Sequence, residues 1–157
     1  IPFWIVVKIL SFGIVSELYQ ILKPENQAEI AKDFDVSVEQ LIVYLPILAN
    51  FRNLCAHEDI LYDHRAQRDI EDTIYHEQLH IPKLNGEYIY GKNDLFAIVL
   101  ILKQMLRKDD FFLLMSEMEY EIQILADKLK TISIEKVLDR MGFPINYQQL
   151  IKLWKEC

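Results

Sequence analysis

The sequence predicts an all-α helical bundle that carries one small loop or β-hairpin insertion around residues 80–91. Three observations lead there. Apolar residues recur at helical spacing, with Phe111, Met115, Met118, Ile122, Leu125 and Leu129 at alternating steps of four and three. Helix-starting patterns stand ahead of the apolar runs, Ser37 with Gln40 being the clearest. Only four Gly occur among 157 residues of which 52% are hydrophobic, which excludes a disordered or loop-dominated chain.

Residues 1–22 form the most hydrophobic opening. Lys8 and Glu17, with Ser11, Ser16 and Gln20, interrupt the run, whereas a membrane span needs about 20 mostly apolar residues. The stretch therefore reads as a buried helix with Pro2 in its first turn. Lys23-Pro24-Glu25 breaks it, and a short amphipathic helix follows from Asn26 to Phe34. Ser37 and Gln40 then form a capping box ahead of a long helix to about His57. Pro46 inside that helix removes a backbone donor and crowds the carbonyl of Ile42, so a kink or two helices end to end are expected.

From about residue 59 to 92 the periodicity fades. Asn85-Gly86, set between Lys83-Leu84 and Glu87-Tyr88-Ile89-Tyr90, is a hairpin signal. Asn93 or Asp94 next caps a helix that is apolar on nearly every side from Leu95 to Leu102, as a helix at the centre of a bundle would be. The stripe from Phe111 to Leu129 is read as packing within the monomer, with a dimer seam as the alternative. Ser133 opens another helix that Gly142 and Pro144 end, and Asn146 with Gln149 starts the last.

At this length the chain makes one domain, 1–157. Its net charge of −7 excludes a protein that coats nucleic acid through a broad basic surface. Any contact with a polyanion must be local. Cys55 and Cys157 make no disulfide framework, and with no signal peptide they point to a reducing cytoplasm and no membrane.

The strongest chemical signal is Phe51-Arg52-Asn53-Leu54-Cys55-Ala56-His57. Arginine offers a planar fork of donors to a phosphate, and histidine passes protons near neutral pH. On a helix Asn53 and His57 share a face, Arg52 flanks it, and Leu54 with Cys55 face elsewhere as core. A purely structural role is the alternative: Arg52 paired with Glu58 or another acid, and His57 closing a helix C-terminus. With no metal and no cofactor expected, the cluster points to a phosphodiester that carries its own nucleophile, namely RNA.

Arg52-Asn53, three residues and His57, continued by Leu61-Tyr62-Asp63, resembles the HEPN ribonuclease motif of bacterial Abi-like proteins, the abortive-infection proteins of phage defence. Pro2-Phe3-Trp4-Ile5-Val6-Val7 and Met141-Gly142-Phe143-Pro144-Ile145-Asn146-Tyr147 are similar to two further stretches of that family, so the likeness covers nearly the whole chain. It implies a HEPN-like bundle lacking a segment that members carry ahead of the Pro-Phe-Trp stretch. It also implies a homodimeric, metal-independent endoribonuclease. His57 would transfer protons, Arg52 would bind phosphate, and Asn53 would orient His57 or the substrate. A toxin of this kind could be held by an antitoxin or regulatory RNA. A HEPN-type RNA- or protein-binding module without turnover is the alternative from another class.

His76-Glu77-Gln78-Leu79-His80 matches H-E-x-x-H, which on a helix gives zinc two imidazoles and a base. Pro82 and Gly86 follow closely, no later His completes a zincin pattern, and Glu117, Glu119 and Glu121 are not distinguished as a third ligand. The preferred reading is a loop with two solvent-facing histidines, ahead of a zinc metalloprotease. Cys55 is read as a small buried hydrophobe and Tyr62 as packing on the bundle, with base stacking as its other use. Arg65 and Arg68 are read as a solvated, salt-bridged surface.

Overall fold

The computed structural model describes residues 10–153. Pro2-Phe3-Trp4 and Cys157 lie outside these residues. The predicted all-α class holds: seven α-helices, one two-stranded ribbon and one 3₁₀ turn make up the regular structure of the described residues. The chain divides into two compact units, Ile1–Leu61 and Tyr62–Cys157.

In the first unit α1 spans Phe12–Gln20, α2 Pro24–Asp33 and α3 Val38–Ala56. The helix expected over residues 1–22 does not pass through residue 11. Ser11 has extended backbone (φ −65°, ψ 154°), and its hydroxyl accepts from the Ile14 N–H at 3.3 Å, so it caps the start of α1. The α1–α2 corner is closed by a reciprocal pair. The Tyr19 hydroxyl donates to the Gln27 carbonyl (3.0 Å), and the Gln27 amide donates to the Tyr19 carbonyl (2.9 Å). The capping box is as expected, with Gln40 N–H on Ser37 Oγ at 3.1 Å and Ser37 N–H on Gln40 Oε1 at 2.9 Å. Helix α3 continues through Pro46 as one helix rather than two. It packs against α1 and α2 and buries Leu41, Tyr44, Ile47, Ala49 and Phe51.

The second unit begins with an irregular stretch that is tied by its backbone. Ala66 N–H reaches the Asn93 carbonyl at 2.7 Å and Ile70 N–H the Lys92 carbonyl at 2.8 Å, which satisfies donors that no helix or sheet serves. Next come α4 (Ile74–Gln78), then β1 (Lys83–Leu84) and β2 (Glu87–Tyr88), paired antiparallel with Lys83 opposite Tyr88. Asn85 (φ 53°) and Gly86 (φ 91°) both lie in the left-handed region that the two-residue hairpin turn demands.

Helix α5 (Leu95–Met105) buries Phe96, Ala97, Val99, Leu100, Ile101 and Lys103. Helix α6 (Lys108–Lys128) buries Phe111, Met115 and Ile122, so the apolar stripe serves the monomer over most of its length. Its end is open, with Leu125 39% exposed. Helix α7 (Ile134–Met141) and a 3₁₀ turn (Tyr147–Ile151) both touch α6. Asn146 stands at the N-cap of this last turn as expected, its carbonyl accepting from Gln149 N–H at 3.0 Å, but its side chain does not cap; the amide donates instead to the Leu79 carbonyl at 3.0 Å.

Asp94 caps α5 and holds the unit's centre. Its Oδ1 accepts from Ala97 N–H at 2.9 Å, and Oδ2 accepts from Gly91 N–H at 2.9 Å, although the residue is only 3% exposed. Gly142 ends α7 in the left-handed conformation (φ 86°) and lies directly against this carboxyl. A Cβ there would sit 2.2 Å from Asp94 Cγ. Behind Gly142, Phe143 is tilted on Phe96 (5.1 Å between centroids) and edge-on to Tyr147 (5.2 Å).

Two predictions follow from this contact. Gly142→Ala meets both a clash and an unfavourable φ, and is expected to cost about 3 kcal/mol or more of unfolding free energy in urea titration. Burial raises the Asp94 carboxyl to about 6. The folded state thus holds a proton that the unfolded chain releases near 4, and stability is lost as pH rises through 6. Against Asp94→Asn, the wild type is expected to lose about 2 kcal/mol between pH 4 and pH 7.

Candidate functional site

The last turn of α3 presents the three residues singled out by sequence. Arg52, Asn53 and His57 are all exposed. The Arg52 guanidinium donates through Nη1 to Asn53 Oδ1 at 3.3 Å. Among the described residues it makes no ion pair, and the expected alternative partner Glu58 is not engaged. His57 closes the helix with φ −100° and ψ 9°. Its N–H donates to the carbonyls of Asn53 (3.0 Å) and Leu54 (3.3 Å) before Glu58 turns the chain away at φ 55°. His57 is thus both the terminating residue that the structural alternative required and a solvent-facing imidazole on the Asn53 side of the helix.

Several neighbours depart from expectation. Cys55 is exposed rather than buried, and Leu54 is half-buried, because α3 turns its core face through Ile47 and Phe51 and runs out of covering chain by its last turn. Tyr62 is 49% exposed and does not pack into a core. Asp63 pairs with Arg140 at 2.8 Å. Arg65 donates to the His64 carbonyl (3.0 Å) and the Arg140 carbonyl (2.9 Å) instead of pairing with an acid, and Arg68 is exposed.

The H-E-x-x-H stretch is not a pair of solvent-facing histidines. His76 is fully buried, with Nδ1 accepting from Thr73 N–H at 3.0 Å and Nε2 within 3.0 Å of the Gly91 carbonyl. That pattern fixes the neutral tautomer with its proton on Nε2. Burial also lowers the imidazole's pKa, favouring the neutral form. Helix α4 ends at Gln78, and His80 is left-handed (φ 50°), so the two rings do not share a helix face. Both His76 nitrogens are occupied by backbone partners, which a zinc ligand could not be. Among the described residues no group of three or more His, Cys, Asp or Glu is arranged to hold a metal ion. No single helix there is long and apolar enough to cross a membrane; α2 and α3 reach that composition only jointly, across a 72° bend.

Sequence reading missed a cleft of about 800 Å³ in the second unit, lined by α6, α7 and residues 143–148, with Leu79, His80, Pro82 and Tyr90 completing it. Two of its three carboxylates are oriented by tyrosines. The Tyr147 hydroxyl donates to Glu119, and that of Tyr90 donates to Asp139. Burial, then the Glu119 bond, raises Tyr147; the Asp139 bond, then burial, pushes Tyr90 up to about 12. Both phenols therefore remain donors. No local motif announces this cleft, since its walls come from segments up to 70 residues apart in the chain; the Gly142-Phe143-Pro144 run was its one visible trace.

Replacing exposed and replacing buried residues should separate cleanly. Arg52→Ala, Asn53→Ala and His57→Ala are each expected to change unfolding free energy by less than about 0.5 kcal/mol. His76→Ala removes a packed ring and orphans two backbone groups, and is expected to cost about 2–4 kcal/mol. Chemical denaturation of the four variants reads both.

No curated protein and no solved structure matches this chain. Residues 1–63, which span the whole first unit and so α3 with its exposed Arg52, Asn53 and His57, match the family model described as Abi-like protein, and that match supports the Abi-like family for this chain.

Proposed function

We propose that the protein is a cytoplasmic, metal-independent endoribonuclease of abortive infection, with its active site on the last turn of α3 completed by a second copy of the chain. The reading takes residues 1–157 as one HEPN-like domain. The observation that carries it is the exposure of Arg52, Asn53 and His57 together, with the guanidinium held by an amide rather than neutralised by a carboxylate. A guanidinium so held keeps its charge for a phosphate, and the family match covers this segment.

In the proposed reaction the ribose 2′-oxygen attacks the adjacent phosphorus and the bond to the 5′-oxygen breaks. The products are a cyclic 2′,3′-phosphate and a free 5′-hydroxyl. A base takes the 2′-proton and an acid returns one to the leaving oxygen from the opposite side. One imidazole cannot occupy both sides of an in-line displacement. Two copies of His57 in a twofold dimer can, with Arg52 neutralising the crowded phosphorane and Asn53 holding Arg52 in place. An antitoxin or regulatory RNA would keep such a toxin silent until infection.

The expected result is cleavage of RNA that persists in chelator and falls by about 10²-fold or more in Arg52→Ala and in His57→Ala, with the products bearing cyclic phosphate. Gel analysis of labelled RNA, with light scattering for subunit number, checks it. RNA binding without cleavage in the wild type would favour the non-catalytic module, and cleavage by a monomer would overturn the shared site.

A further inference from the structure

We infer that the cleft between α6 and α7 is a binding site for an organic cation with an apolar body, an aryl- or alkylamine rather than a phosphate or a nucleic acid. The first ground is its size: about 800 Å³ lies within the range of roughly 300–1,000 Å³ of sites that enclose small molecules. The second is its sign. Glu119, Glu135 and Asp139 line it, and among the described residues no Lys or Arg does. A phosphate entering there would meet three carboxylates and, among the described lining residues, no Lys or Arg, whereas an ammonium would meet partners on both helical walls.

The third ground is how these carboxylates are held. The hydroxyls of Tyr147 and Tyr90 each donate to one, which orients the acid through a neutral donor rather than a cation. A carboxylate whose role was to stabilise the fold through an ion pair would face a cation of its own chain. Asp63 and Asp72 do so, through Arg140 and Lys92, and these cleft acids are not among the described ion pairs. Between the charged walls, Leu79, Ile122, Leu138 and Phe143 supply an apolar floor for a ring or hydrocarbon. The cleft lies wholly in the second unit, so the inference stands apart from the nuclease reading and can fail without it.

Three probes of one shape and different charge test this: tryptamine, its neutral alcohol tryptophol and the anion indole-3-acetate. Each is titrated into the full chain at pH 7, with methyl resonances of Leu79, Ile122 and Leu138 as the readout. Tryptamine is expected to shift these methyls saturably, tryptophol at least about fivefold more weakly, and indole-3-acetate not at all. Glu119→Gln with Asp139→Asn keeps an acceptor for each tyrosine while removing two charges, and is expected to erase most of the preference for the amine. Equal binding of amine and alcohol, preference for the acid, or shifts confined to methyls outside the cleft would each overturn the proposal. The comparison of probes on wild type needs no variant to fold.

Discussion

The second unit depends on one carboxyl. Asp94 accepts from Gly91 N–H and Ala97 N–H while almost wholly buried, so it ends the hairpin region and begins α5 in the same few ångströms. A helix start leaves N–H groups without partners, and burying them uncapped costs more than burying a carboxyl that they solvate. The return of the chain at Gly142 is then set by exclusion, because only a residue without a side chain can close on that carboxyl. From this point Phe143 reaches Phe96 and Tyr147. The far wall of the acidic cleft is thus built on a helix cap.

What could be read from sequence was what is local. The Asn85-Gly86 turn, the Ser37 and Gln40 box, the Asp94 cap and the Gly142 stop each rest on the conformation of two to four neighbouring residues, and each holds. The failures were of burial, which is not local. His76 looked like a loop histidine because its stretch is polar and short. It is buried because Gly91, 15 residues on, supplies a carbonyl that no pattern near His76 reveals. Cys55 looked like core because it sits among Leu54 and Ala56, yet helical periodicity says which residues share a face and not where the covering chain ends. Ser11 has the look of one polar interruption in an apolar run, yet its hydroxyl starts a helix.

The same division runs through the two candidate sites. Arg52, Asn53 and His57 fall within six residues at the end of one helix, so helical geometry alone places them together, whereas their exposure depends on the folded chain. The cleft joins residues from Leu79 to Gln148, and its character emerges only once α6, α7 and the run after Gly142 are assembled. An acidic chain thereby carries a small cationic spot in one unit and a concentrated anionic recess in the other, two opposite chemistries that a net charge of −7 conceals.

The exposure of the α3 terminus has a consequence for inheritance. Side chains at 52, 53 and 57 owe almost nothing to the interior, so a lineage that ceased to need them would let them drift without penalty to folding, whereas Asp94 and Gly142 would be retained in any descendant that still folds. Persistence of an arginine, an amide and an imidazole at these three places would then record selection on what the surface does, separately from selection on the scaffold that bears it.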